Sequence, residues 1–339
     1  MIVVGGGIIG LACAWRLAQK GVDVTLFDAA ATGSEASWAG AGMLAPGGEV
    51  EEDTPHGRMA TASLGLWPEF VEELREASGV AIDYRACGAV EVALTEAEAV
   101  ALEEKAALQA GMGIRSEACS REGAVAARFY PDDAMVNPRE VTAALREACV
   151  RWGVEIREQE PVREILALGR GVWTTLGRYA DKGVLLAAGA WSSRLWPGAR
   201  ESRPVRGHLV SYREKPGALG TILRHNGTYL LQRTNGMLIA GTTTEHAGFD
   251  RALDEGAIAD VRRRAEGLLP ALAGQEPVER WNGFRPGVDG DVPVIERVPG
   301  TQVWLAYGHY RNGILLAPET ARRVAALVPG EREETSGVS

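Results

Sequence analysis

Gly5, Gly7 and Gly10 follow the apolar run Met1-Ile2-Val3-Val4 and stand at the G-x-G-x-x-G spacing. Glycines so spaced make a tight turn, let the backbone approach a pyrophosphate, and let a helix pack closely on a strand. A helix starting there points free N–H groups and its positive dipole end at phosphates. Asp28 ends a second apolar run about 20 residues on, where a carboxylate can accept hydrogen bonds from a ribose. Together these residues predict dinucleotide binding. A second constellation lies near the other end of the chain. Gly308-His309-Tyr310-Arg311-Asn312-Gly313 leads from an apolar run toward a helix, with glycines for close approach and donors beside them.

These groups need elements to hold them. The pattern predicts a strand at 1–4, a helix from Leu11 to Gln19 and a strand from Val22 to Phe27, a βαβ unit. Leu64 to Ser78 reads as an amphipathic helix and Tyr84 to Leu94 as a strand. Thr95-x-x-Glu98 is a capping box opening a helix to about Gln109. Asn137-Pro138 is an N-cap followed by proline, opening a helix that ends near Trp152-Gly153. Val154–Val162 and Val184–Ala188 read as further strands of the first sheet. The alternating segments Val205–Tyr212, Thr228–Gln232, Met237–Thr242 and Val278–Phe284 suit an antiparallel sheet with one covered face. Gly256–Leu272 is a helix among them, Gln302–Tyr307 a last strand and Glu319–Val328 a last helix. The polar stretch past Pro329 reads as a disordered tail. Thr32 to Glu52, rich in Gly, Ala and Ser, suits a cofactor-lining loop, while acidic Glu49–Gly57 is either a solvated loop or a mobile lid.

A chain of 339 residues suits two domains. Its net charge of −9 argues against nucleic acid and against an anionic membrane surface. No stretch has the length of a membrane span. Cys13, Cys87, Cys119 and Cys149 are scattered without zinc spacing, which predicts a reduced, cytoplasmic protein. The histidines are isolated, so no metal is expected, and His56, His208, His225 and His246 show no partner pattern. A homo-oligomer is left open.

The C-terminal segment, read through Gly308-His309-Tyr310-Arg311-Asn312-Gly313-Ile314-Leu315-Leu316-Ala317-Pro318, resembles the flavin-wrapping segment of the D-amino-acid oxidase superfamily of FAD enzymes, and within it the glycine oxidase branch. Three more segments are similar, in order. Ser37-Trp38-Ala39-Gly40-Ala41-Gly42-Met43-Leu44 resembles the flavin-lining loop, and Val184 to Trp191 the second glycine-ended strand near the pyrophosphate. Trp281-Asn282-Gly283-Phe284-Arg285-Pro286-Gly287 resembles the turn whose arginine grips the substrate carboxylate. The resemblance implies an α/β fold: a Rossmann-like FAD-binding domain over residues 1–80, 137–203 and 286–330. Residues 81–136 and 204–285 would form an inserted antiparallel-sheet substrate domain, and 331–339 a flexible tail.

Residue by residue, the resemblance puts Ile8 and Ile9 at the pyrophosphate turn with Gly5, Gly7, Gly10 and Gly189. Asp28 and Ala29 would meet the adenosine ribose, and Val162 the adenine. Ala36, Ser37, Ala41, Gly42 and Met43 would line the flavin, and His309, Tyr310, Arg311, Asn312, Gly313, Ile314 and Leu315 its ring. Arg285 and Arg311 would meet the substrate, with Tyr229 above it; Arg311 could also act through its backbone alone. The FAD would be non-covalent, because this chain has no cysteine after Cys149, in the half where sarcosine-oxidase relatives bond theirs. The implied partners are a small amino acid and O2. Glycine, and with it sarcosine or small D-amino acids, would lose a hydride from Cα to flavin N5. O2 would become H2O2, and the imine would supply thiazole synthesis for thiamine. Two rival readings stay open: a D-amino-acid dehydrogenase feeding a quinone, and a non-catalytic flavoprotein subunit.

Overall fold

Strands that are apolar at every position belong in a sheet covered on both faces. Ile2–Val4 is such a run, and in this computed structural model it sits inside a six-stranded sheet. The order is Val294–Arg297, Val303–Tyr307, Val184–Leu186, Ile2–Val4, Thr25–Phe27 and Glu155–Arg157. All neighbours are parallel except the Val294–Arg297 edge. Val3 pairs with Leu185 and Leu26, and these three turn toward helices Ile8–Gln19, Pro138–Arg151 and Ala317–Leu327. Ile2, Val4, Phe27, Val184 and Leu186 turn the other way, onto a three-stranded antiparallel meander through its Ile165 and Val172. The structure describes residues 1–290 and 292–329; the expected tail past Pro329 lies outside them.

The second sheet has eight strands: Glu279–Val288, Ser202–Arg213, Met237–Gly241, Thr228–Gln232, Ile222–His225, Ala89–Ala93, Ala126–Tyr130 and Glu117–Cys119. It is antiparallel apart from the pairing of Ile222–His225 with Ala89–Ala93. The expectation of one covered face does not hold near its middle. Leu230, Leu238 and Ala240 face helix Glu255–Leu268 through Ile258, Val261 and Ala265. Tyr229, Leu231, Ile239 and Leu209 face the main core, so Thr228–Gln232 is buried at every position. Ser202–Arg213 and Glu279–Val288 pair from Ser202 with Val288 to Ser211 with Glu279. The expected domain edges at 203/204 and 285/286 therefore fall inside one continuous ribbon.

Three boundaries differ from the sequence pattern. Val154–Val162 is not one strand: Glu155–Arg157 joins the parallel sheet, the chain turns at Gln159 (φ 58°), and Val162–Ile165 joins the meander. Tyr84–Leu94 breaks at Gly88 (φ 67°), leaving Tyr84–Arg85 in a small sheet with Met43–Leu44 and Ala134–Val136. The helix expected from Leu64 starts at Pro55, because Thr54 caps it by accepting the Gly57 N–H at 3.1 Å. The capping box at Thr95 and the Asn137 cap are both formed.

Gly10 is the point where the first helix meets the first turn, and a Cβ there would overlap the Gly5 carbonyl oxygen. Gly10→Ala should cost at least as much as an ordinary overpacked core, about 1–3 kcal/mol. Urea unfolding followed by circular dichroism measures it, and an unchanged midpoint would show that the contact relaxes freely.

Candidate active site

A cavity of about 430 Å³ runs between the two sheets. Its first stretch is walled by Gly5, Gly7, Ile8, Ile9, Asp28, Ala29 and Val162, its middle by Ala36, Ser37, Ala41, Gly42, Met43 and Gly189. The far stretch is walled by Tyr229, Arg285, His309, Tyr310, Arg311, Asn312, Gly313 and Ile314. Two expected residues do not line it. Gly10 packs against the Gly5 turn, and Leu315 is buried with its carbonyl accepting from Ser63 Oγ at 2.7 Å and Trp67 Nε1 at 2.9 Å.

The first stretch fits a dinucleotide. Gly7 caps the helix, a Cβ on it would meet only Ser37 Oγ at 3.3 Å, and one on Gly189 would meet only Pro286 at 4.0 Å. The backbone is thus bare toward the cavity at both turns. The Ile8 N–H donates to Ser37 Oγ at 2.9 Å, which ties the loop to the helix start. Asp28 accepts from the Gly6 N–H at 2.6 Å and the Ala30 N–H at 2.8 Å, leaving lone pairs on both oxygens for ribose hydroxyls. Burial pushes its carboxyl above the ordinary range, against the pull of those two N–H groups.

Arg285 lies in strand Glu279–Val288 opposite Val205. Its Nη2 donates to Thr242 Oγ1 at 2.6 Å and its Nη1 to the Thr243 carbonyl at 3.1 Å. Among the described residues it has no carboxylate partner. Burial holds its pKa below the usual guanidinium value. Room for it exists because residue 207 is glycine, whose Cβ would overlap the guanidinium. Gly241 likewise leaves space for Tyr229, whose hydroxyl would lie 2.7 Å from a Cβ there. Burial pushes the Tyr229 hydroxyl up, with Arg285 and Arg311 acting against it.

Arg311 differs. Its Nε donates to Glu49 Oε2 at 3.0 Å and its Nη2 to Oε1 at 3.2 Å. Burial opposes its charge, but Glu49 holds the guanidinium above its usual pKa. Glu49 lies in both the stretch that suits a cofactor-lining loop and the acidic run that suits a solvated loop or a lid; it ends helix Pro46–Glu49 and lines the cavity, as the first of these readings has it. Buried groups fasten that turn. Gln109 Nε2 donates to the carbonyls of Gly47 at 3.0 Å and Val50 at 2.7 Å. Asp133, accepting from the Gly47 N–H, also pairs with Arg224 at 2.6 Å. Thr242 and Arg311 also line a recess with Asn226, Gly227, Thr244 and Arg264, outside the cavity.

Several participants were not found from sequence. Thr242 and Gly207 shape the place of Arg285, and nothing in their local pattern marks them. Arg206 is buried and donates to Glu245 at 2.9 Å and Asp250 at 2.9 Å, fixing the segment that offers Thr243 to Arg285. His208, without a partner pattern in sequence, meets Glu245 Oε1 at 2.8 Å, and His225 meets Glu98 at 3.1 Å. Arg233 is buried and donates to the carbonyls of Ala41 and Val136, holding the loop that carries Met43. Among the described residues, no His, Cys, Asp and Glu group could hold a metal, and no helix is long and apolar enough to cross a membrane.

A dinucleotide turn, a loop and a C-terminal segment around one cavity, and a second sheet presenting an arginine, define a flavoprotein oxidoreductase. Residues 1–327 match the family described as DAO, FAD dependent oxidoreductase, and the chain belongs to it. A glycine oxidase from Geobacillus kaustophilus is 34% identical, over 98% of this chain and 93% of that protein. A bifunctional protein named ThiO/ThiG from Synechocystis sp. is 33% identical, over 97% of this chain and 51% of that protein. The crystal structure of the Geobacillus kaustophilus glycine oxidase matches with a TM-score of 0.92 at 32% identity, covering 96% of this chain and 93% of that one.

His309 gives a test of this geometry. Its imidazole is buried and meets Thr320 Oγ1 at 2.9 Å, and burial, with His56 nearby, lowers its pKa from 6.5 to about 3. The unfolded state therefore binds the extra proton between those values, so stability is fully present above pH 6.5 and falls on acidification. His309→Asn should lose about 2 kcal/mol less than wild type between about pH 7 and pH 5. Urea unfolding at both pH values checks this; equal losses would place the histidine in solvent.

Proposed function

We propose that the protein oxidises glycine, and with it sarcosine and small D-amino acids, using non-covalent FAD and O2. The observation that carries this reading is Arg285, a desolvated guanidinium in the cavity wall with neutral partners only. A planar fork so held suits one carboxylate bidentately, and a substrate carboxylate would remove the cost of leaving the charge unpaired. The FAD-dependent family and the glycine oxidase relatives support it. A role in supplying imine for the thiazole of thiamine rests on the relative named ThiO/ThiG. Residues 1–80, 137–203 and 286–330 would act as the FAD-binding domain, and 81–136 with 204–285 as the substrate domain.

Bound FAD supplies the redox chemistry, taking two electrons from the amine and passing them to O2. Asp28 would hold the ribose, the Gly5–Ile9 turn the pyrophosphate, and residues 309–314 the ring. Arg285 would fix two substrate atoms, and the Tyr229 hydroxyl would set the angle of the substrate above the ring. Apolar Met43, Leu209, Phe284 and Ile314 line the cavity and would exclude water from the reacting Cα–H bond. No base of the chain is needed when the substrate arrives as the free amine. His309 would be a weak one, since burial lowers its pKa to about 3. Water would convert free imine to glyoxylate and ammonia.

Arg285→Ala should lower kcat/KM for glycine by roughly two to four orders of magnitude while FAD content stays near wild type. Arg285→Lys should recover only part, because an ammonium cannot reproduce the fork. Peroxide-coupled kinetics with flavin absorbance reads both, and near-normal turnover by the alanine variant would remove the carboxylate site. Asp28→Asn should raise the FAD dissociation constant by roughly ten- to a hundredfold. Fluorescence titration of apoprotein measures that constant; an unchanged value would mean that another group holds the ribose. Acid precipitation of the yellow protein should leave FAD in the supernatant, and colour retained in the pellet would mean a covalent bond.

A further inference from the structure

Two guanidiniums reach the substrate end of the cavity, and the chain treats them differently. Arg285 has only neutral acceptors, whereas Arg311 is paired through two nitrogens with Glu49. Of these two, Arg285 is thus the positive charge that has no ion pair among the described residues. Tyr229 stands within the field of all three groups, so they converge on one place. The backbone that carries Glu49 is held in place. Its turn is tied by Gln109 and Asp133, and a side chain on Gly47 or Gly48 would collide with Tyr130 or Arg224. Arg311 also lines the recess outside the cavity, beside Thr242 and Thr244.

We propose that Glu49 is a specificity residue: by occupying Arg311 it confines the site to amines bearing a single carboxylate. An amine with a second carboxylate would set that group against Glu49, and like charges in a water-poor site repel strongly. The inference rests on the reading of Arg285 as the carboxylate anchor. It follows that removing the Glu49 charge alone converts Arg311 into a second anion-binding group.

The test uses the purified FAD-loaded enzyme and Glu49→Gln, which keeps the size and drops the charge. Non-reacting acetate and malonate are titrated against the visible flavin spectrum, and glycine and iminodiacetate are compared as substrates. Malonate should bind Glu49→Gln roughly tenfold or more tighter than wild type, with acetate changing far less. The kcat/KM ratio of iminodiacetate to glycine should rise by a similar factor, mainly through KM. Glu49→Asp should keep the wild-type preference, and adding Arg311→Met to Glu49→Gln should abolish the malonate gain. The proposal is overturned if malonate and acetate shift equally, or if the gain survives Arg311→Met. Failure of the underlying reading looks different: acetate binding in the wild type would then be indifferent to Arg285→Ala, whatever Glu49 does.

Discussion

The arrangement around one guanidinium governs the active-site half of the molecule. Arg285 is a charge kept from water and, among the described residues, given no opposite charge. Such a group is expensive unless its surroundings are fixed, because it would otherwise swing to solvent or draw in a carboxylate. The long ribbon of Ser202–Arg213 with Glu279–Val288 fixes its backbone. Gly207 leaves its volume free, and the clamp of Arg206 on Glu245 and Asp250 fixes the segment that supplies its acceptors. Glu49, the acid whose charge Arg285 feels, is paired with Arg311. Every one of these details keeps the fork open toward the cavity.

Much of the fold is legible in the sequence, for reasons that are local. The G-x-G-x-x-G turn, the Asp28 position, the Thr95 box and the Asn137 cap are short-range devices, so their residues announce them. Boundaries set by a single backbone angle are not announced. Gln159 takes φ 58° without being glycine, and it splits a stretch that reads as one strand. The two-faced burial of the eight-stranded sheet is hidden for another reason. Polar residues such as Tyr229 and Arg285 face a cavity, so the pattern looks like a wet face.

The site divides in the same way. Cofactor-side residues lie in contiguous segments whose glycines record close approach, and all but Gly10 and Leu315 among those expected line the cavity. The proposed substrate side is assembled from Glu49, Gly207, Tyr229, Thr242, Arg285 and Arg311, which are far apart in the chain. In the sequence Glu49 is one acid where a loop suited to lining a cofactor runs into an acidic stretch. Its meaning comes from Arg311, more than two hundred residues later, at 3.0 Å. Thr242 and Gly207 matter through contact and through empty space, neither of which leaves a local pattern.

One feature of the topology bears on how the protein is made. The cavity is walled by residues 4–49 and again by residues 309–314, with the rest of the parallel sheet waiting for Val303–Tyr307. The glycine turn and the 309–314 wall are some three hundred residues apart in the chain, so the cavity closes only when the later segment has joined the earlier one. A ligand that touches both walls therefore meets its full set of contacts only in the assembled fold, and binding there stabilises that fold by mass action. Supply of such a ligand would then set how much of the folded protein survives.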